Sequence, residues 1–594
     1  MEINQVLSSF DIIGRKGFDL SQVASELLLV DETEKNKPEF RYEVVAMQLI
    51  PSQFDNPWGS FYYGPQFVFS DQEGNPVYIP SIDDITSEAI MYWERRAHAC
   101  TNPLLKVRYA GLVWDFKKDI AKKNFEPWLY RLYIDSMLQV CNEDYCCHPV
   151  VTVNLLERLF VLTKNSDADL KSTKAAYVAF EARHAEDHTV RMWASRFILM
   201  VENKKSFSED EKRALVNEHE ERLNRVATPK ANGHLNPWLV QKQAGLLARY
   251  YNSLQQKDDV KRVLNMVEAA FEHEASILSI MQLMANFETV CQEYNKYGLK
   301  EDYNLLTVKL QNLGERVKDE MQPYQTEFAI PKEIYDQFDE AFGDKAESND
   351  QRWSIFAGYF IPNKYQEEVE LKGFVKNYPL KYMMGNKLMD SKGHPLSYVG
   401  PYESDPDGQL VLHMANKLNL QDYYLRIAIN KLLTSNTLTV DNVIGFLIEP
   451  SPLFEEDRYD IIREALQFFM DGRYVLFSHL IVPQIETAIR NMVEMSGVTI
   501  LKPQNKQQGS KGNQIRTLDE LLREKCVEEV FGVDEALYLQ LVLTNQKALN
   551  LRNLLCHGIM PPAYFGAVAA GRLLHILVML GLVRSEPIVA ENDT

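Results

Sequence analysis

The sequence predicts a mainly α-helical protein, with a repeat-like helical N-terminal region followed by a C-terminal helical bundle. Three observations predict it. Long stretches such as "MWASRFILMVENKK" and "YDIIREALQFFMDGRYVLFSHLIVPQIETAIRNMVEMSG" place apolar residues three and four apart, the period of a helix with one buried face. An echo lies in the second quarter, where "YNSLQQKDDV" begins at Tyr251 and "YNKYGLKEDY" at Tyr294, an offset of 43 residues. Each stands between two apolar-periodic runs and reads as the turn of a helical hairpin, with a period in the range of stacked helical repeats; simple helical-bundle packing accounts for two copies nearly as well. Strand-like alternation is confined to "PQFVFSDQEGNPVYIPS", where Phe67 and Phe69, then Val77 and Ile79, flank the turn-forming Glu73-Gly74-Asn75-Pro76.

At 594 residues the chain is too long for one core. Its 45% hydrophobic and 25% charged content is that of a globular protein, so core material is not limiting. The expected organisation is a helical region over 1–340 with a small hairpin near 66–80, a connecting region over 341–465, and a final domain over 466–594. The connector begins loop-rich, with "GDKAESNDQR" and "DSKGHPLSYVGPYESDPDGQL", and turns helical from about 409. The final domain reads as helix, polar loop, helix, short helix, long helix.

The net charge of −19 argues against broad binding to nucleic acid or anionic membrane. From residue 471 onward there are 12 Lys/Arg and 13 Asp/Glu, so this part sits near −1 and the rest of the chain carries −18. A local nucleic-acid site is thereby permitted in the last domain. Seven cysteines, an odd and small number, fit a reducing cytoplasm better than a disulfide framework. The first residues lack the basic-then-apolar pattern of a signal peptide. The apolar run "LLHILVMLGLV" is too short to span a bilayer and carries His575, with Arg572 just before it, so it reads as a buried helix.

The segment with chemistry is "NLRNLLCHGIMPP", residues 550–562. Asn550 suits an N-cap and Gly558 a C′ residue, giving a helix of about two turns. Asn553 and His557 share a face, whereas Arg552 and His557 diverge by about 140° on an ideal helix. Helix-end bending, or a second subunit, would bring them together. The residue types suit phosphodiester cleavage: His moves protons near neutrality, and Arg clamps phosphate oxygens with a rigid fork. In RNA the 2′-hydroxyl is already the nucleophile, so no metal is required.

Upstream, His479, Glu486 and Arg490 lie near one face of a helix that Pro483 should kink. Glu486 could orient His557 or act as a second acid/base group, and Arg490 could bind phosphate; alternatively the two form a plain i, i+4 ion pair. The loop "LKPQNKQQGSKGNQIR" holds Lys502, Lys506, Lys511 and Arg516 with no acid and could wrap onto a phosphate backbone, or serve as a solvated linker. Trp238, Tyr250 and Tyr251 read as core. His184 and His188 in "HAEDH" form an i, i+4 pair but lack the H-E-x-x-H arrangement and a third ligand, and the adjacent cysteines of "CNEDYCCH" suit tetrahedral zinc poorly.

"LRNLLCHG" resembles the R-N-x-x-x-H-G signature of a domain-of-unknown-function family shared with the ER-membrane-associated RNA degradation protein of animals. It also resembles the R-(polar)-x-x-x-H motif of the HEPN superfamily (higher eukaryotes and prokaryotes nucleotide-binding). "YVLFSHLIVPQIETAIR" is similar to that family's preceding helix, and the match covers roughly 466–585. The resemblance implies an all-α domain, usually dimeric, whose two motifs face each other across the interface. It implies a metal-independent endoribonuclease acting on RNA, of the kind found in bacterial antiviral defence or toxin–antitoxin systems. Arg552 and His557 would be the catalytic pair and Asn553 the polar helper. The helical remainder would sense, restrain or recruit, with a regulatory protein partner and no membrane. Inactive HEPN domains exist, so a non-catalytic scaffold that dimerises through the same domain is the alternative; a nucleotide-transfer or nucleotide-sensing role is a third.

Overall fold

The computed structural model describes residues 2–585 apart from 53–55, 72–74, 125, 321–330, 391–392, 394, 504–511 and 562–563. The expected class holds: helices dominate from Ile3 to Gly581, and among the described residues the strands form four two-stranded antiparallel hairpins. No described helix is long and apolar enough to cross a membrane. The chain divides into two compact units, 2–308 and 309–585, with the boundary inside the Lys300–Glu320 helix.

In the first unit, most helices adjacent in sequence pack on one another. The echo is a structural repeat. Helices Pro237–Ser253 and Lys257–His273 form one hairpin, Ile280–Lys296 and Lys300–Glu320 the next, and both helix starts are offset by 43 residues. Buried positions Val240, Ala244, Leu247, Ala248 and Tyr251 recur as Leu283, Phe287, Val290, Cys291 and Tyr294. Each tyrosine hydroxyl donates to a glutamate of the preceding helix, Tyr251 to Glu220 at 2.6 Å and Tyr294 to Glu268 at 2.8 Å. Both turns close the same way, with a left-handed residue four places after the tyrosine: Gln255 (φ 61°) and Gly298 (φ 73°).

The Phe67–Ser70 strand pairs with Pro76–Ile79 in the expected register, Phe67 opposite Ile79 and Phe69 opposite Val77. Glu73 and Gly74 of the expected turn lie outside the described residues. The hairpin's alternation does not mark a core face, because Phe67, Val68 and Phe69 are all exposed. Trp238 is a second correction. It stands half exposed at the start of its helix, edge-on to Phe271, while Tyr251 is buried.

The second unit corrects the expected connector. Segment 341–465 is neither mainly loop at its start nor a separate piece. It holds helices Asn349–Tyr359, Lys364–Asn377 and the 29-residue Pro406–Thr434, which share one hydrophobic core with the last domain. The composition of 343–407 marked helix caps and a hairpin (Asn386–Met389 with Pro395–Val399) within a domain rather than a linker.

At the centre lies the Ala567–Gly581 helix, buried at every position from Ala569 on, as the apolar run predicts. Helices Tyr474–Met495, Pro406–Thr434 and Asn349–Tyr359 surround it. Its two polar residues are fully satisfied. Arg572 donates from Nε to Asp422 (2.6 Å), from Nη2 to the Leu418 carbonyl (2.7 Å) and from Nη1 to the Tyr538 hydroxyl (3.4 Å). His575 Nε2 lies 2.9 Å from the Phe356 carbonyl, which can only accept, so the proton sits on Nε2. Nδ1 then accepts from Tyr538 at 2.9 Å. Burial, reinforced by the neighbouring Arg572 charge, holds the His575 pKa down to about 3.

Two outcomes follow for the central helix. At Gly581 an added Cβ would meet Leu447 Cβ at 2.8 Å and its carbonyl oxygen at 3.2 Å, so Gly581→Ala should cost about 1–3 kcal/mol in urea unfolding. His575 is neutral when folded and titrates at about 6.5 when unfolded. Its contribution is therefore complete above pH 6.5 and declines as pH falls toward 3. The stability gap between wild type and His575→Asn should narrow from pH 8 to pH 5 in parallel urea titrations; a constant gap would refute the assignment.

Candidate functional site

The 550–558 segment folds as a short helix, Leu551–Cys556, locked at both ends by left-handed residues. Asn550 (φ 51°) precedes it and Gly558 (φ 65°) follows. Gly558 behaves as expected: its N–H meets the Leu555 carbonyl at 3.1 Å, and that of Ile559 the Leu554 carbonyl at 2.9 Å, the paired bonds of a Schellman end. Asn550 does not cap a backbone N–H. Its side-chain oxygen instead accepts from Asn553 Nδ2 at 2.8 Å, and the same amide reaches the Thr544 carbonyl at 3.3 Å. Local sequence chemistry could not distinguish these uses, because both suit Asn.

Glu486 meets Arg552 rather than His557. It projects from the Tyr474–Met495 helix, which runs on through Pro483. Arg552 donates Nε to Glu486 Oε2 at 2.9 Å and Nη2 to Oε1 at 3.3 Å, a two-pronged grip. Arg490, one turn on, donates to the same Oε1, so the i, i+4 ion pair is also present. Arg552 Nη1 donates to Asn553 Oδ1 at 3.1 Å. Among the described residues these bonds use three of the five guanidinium N–H groups. Partial burial alone would lower the Arg552 pKa, but the bonds and charge of Glu486 outweigh it and raise it. Two guanidiniums on one carboxylate leave a local charge of +1.

His557 lies just past the last helical turn and is exposed; among the described residues its ring has no hydrogen-bond or ion-pair partner. His479 does not join the group. Its Nδ1 bonds the Val475 carbonyl and its ring stacks on Phe565 at 5.3 Å. Lys502 pairs with Glu520 at 2.5 Å, and Arg516 with Glu524, acids supplied by the following segment rather than by the loop itself. Lys506 and Lys511 lie outside the described residues. In the first unit, His184 bonds Asp144 at 3.0 Å and Cys141 is buried.

Behind Asn553 opens a cleft of about 470 Å³ that includes Asp405, Asp407, Asp519, Arg523 and Lys547. Sequence reasoning missed this wall, because Asp405 comes from a segment more than 140 residues away and is joined to Lys547 at 2.9 Å. Two of its acids are neutralised within the cleft, Asp405 by Lys547 and Asp519 by Arg523 at 3.0 Å. No family model, curated protein or solved structure matches this chain.

Glu486→Gln removes the one carboxylate between two guanidiniums. It should lower unfolding free energy by about 1–3 kcal/mol, and Arg490→Met by less. Equal costs for the two would show that Glu486 is not the hub.

Proposed function

We propose that the second unit is a HEPN-like endoribonuclease domain that cleaves RNA without a metal, working as a homodimer. The observation that carries this reading is the pairing of an anchored arginine with a free histidine. Arg552 is held in a fixed direction by Glu486, while the exposed His557 ring stands a few residues on. The 2′-hydroxyl attacks phosphorus, and one His557 takes its proton. The 5′ oxygen leaves with a proton from the second copy's imidazolium, and Arg552 stabilises the charge on the phosphoryl oxygens. The products are a 2′,3′-cyclic phosphate and a 5′-hydroxyl.

An apolar surface beside the motif supports dimerisation. Val475, Leu476, Ile559, Tyr564 and Val568 are all exposed, and the His479–Phe565 stack ties the two segments that carry them. Two facing copies would bring each motif opposite the other. The acidic remainder of the chain, at −18 before residue 471, suits a restraining or recruiting role better than an RNA channel. The activity would serve in a cytoplasmic defence or toxin system, with a regulatory protein partner. A second reading, a non-catalytic scaffold dimerising through the same surface, is favoured by the commitment of Arg552 to Glu486.

The test is cleavage of labelled single-stranded RNA in excess EDTA, with Arg552→Ala, His557→Ala and Tyr564→Glu beside wild type. The expected result is cyclic-phosphate ends from wild type and losses of at least about 100-fold in both motif variants. Tyr564→Glu should give monomers in light scattering, with activity lost in parallel. Cleavage surviving in both motif variants would overturn the assignment, and stable dimers without cleavage would establish the scaffold.

A further inference from the structure

A second cluster lies in the same unit, on helices Lys364–Asn377 and Pro406–Thr434, and none of its members belongs to the RNA-cleaving reading. Glu367 and Glu370 are one turn apart on the first helix, and His413 faces them from the second. One donor atom from each lies within 4.8 Å of the others. Glu367 is only 4% exposed. Its Oε2 stands 3.2 Å from His413 Nε2, and Glu370 Oε2 stands 3.9 Å from the same nitrogen.

That 3.2 Å approach is not a hydrogen bond. Both Glu367 Oε2 and His413 Nε2 are buried atoms with no hydrogen-bond partner. The contact has ion-pair distance without hydrogen-bond geometry, and a buried carboxylate oxygen and a buried imidazole nitrogen without hydrogen bonds are costly unless an ion shared by both accepts their lone pairs. Three donors held at 2.0–2.2 Å around a tetrahedral zinc ion stand about 3.4 Å apart. The observed spacings of 3.2 and 3.9 Å bracket that value, whereas a charged hydrogen bond would draw the atoms closer.

We propose that Glu367, Glu370 and His413 form a binding site for a divalent transition-metal ion, zinc above all. Two carboxylates and one imidazole match its borderline character, and the Irving–Williams order favours it over manganese. Water would complete the coordination. Lys417, one turn beyond His413, lies 2.7 Å from Glu367 Oε1 and 2.8 Å from Glu370 Oε2. It orients the outer oxygen of Glu367, but it also competes with the metal for Glu370. With its partly exposed stem it can swing outward, so Lys417 sets the affinity rather than forbidding binding. The ion would fasten the Lys364–Asn377 helix to the long helix that supports Arg572.

Zinc binding to the full chain, stripped with chelator and dialysed, is measured by calorimetry with Zn²⁺ alone, beside His413→Gln, Glu370→Gln and Lys417→Ala. The proposal expects a site that weakens at least about tenfold in the first two variants and tightens in the third. Cobalt loading should show nitrogen–oxygen coordination bands without thiolate charge transfer, separating this site from Cys146 and Cys147. An ion-pair cluster centred on Lys417 predicts the reverse: no metal binding, and a loss of stability in Lys417→Ala. Absence of binding, or binding unchanged in His413→Gln, overturns the proposal. RNA cleavage in EDTA reads Arg552 and His557 alone, so either proposal can fail without the other.

Discussion

A helix buried at every position from its third residue on cannot carry an arginine and a histidine unless its neighbours supply a partner for every polar atom. That constraint organises the second unit. Arg572 is met by Asp422 and the Leu418 carbonyl from the long helix, and His575 by the Phe356 carbonyl from another. Tyr538 serves both. Apolar packing alone would tolerate several arrangements of helices around an alanine- and leucine-rich rod. The polar chain distinguishes among them, because any rotation or slip would strand a charge in the core, and breaking such a buried pair costs on the order of 3–5 kcal/mol. Gly571 and Gly581 add a steric counterpart where Ile429 and Leu447 approach closely.

The motif inherits its rigidity from this centre. The Tyr474–Met495 helix packs along the buried helix and presents Glu486 outward, and Glu486 in turn aims Arg552. A carboxylate that grips two guanidiniums is a positioning device as well as a charge, since it fixes the Nε–Nη2 edge of Arg552 while Asn553 holds Nη1. Among the described residues His557 has no such tether, and its ring stays exposed.

The readings that held were those governed by short-range chemistry. The 43-residue echo, the register of Phe67 with Ile79, the Gly558 helix end and the buried C-terminal helix each rest on a pattern within one helix, turn or hairpin. Those that changed depend on distant partners. The 341–465 segment looked like a connector because its helix caps and hairpin use the same Gly, Pro, Ser and Asp as a linker, and its buried faces show only once the core is assembled. Glu486 was rightly placed near the motif but given the wrong neighbour, because helical spacing orders residues on one helix and says nothing of which residue stands opposite. Lys502 and Arg516 looked unpaired only because Glu520 and Glu524 lie beyond the loop. The Glu367–Glu370–His413 group had no signature to find, since its members come from two helices more than forty residues apart.

The left-handed residues at both ends of the Leu551–Cys556 helix have a consequence for how this segment can vary. Asn550 and Gly558 act as fixed brackets: one reverses the chain into the helix, the other out of it, and Asn550 also holds Asn553 by its side chain. An inserted residue between them would turn the rest of the helix by about 100° and carry His557 round the axis, away from the arginine it accompanies. The distance along the chain from Arg552 to His557 is thus a mechanical setting, tolerant of what fills the intervening positions and intolerant of how many there are.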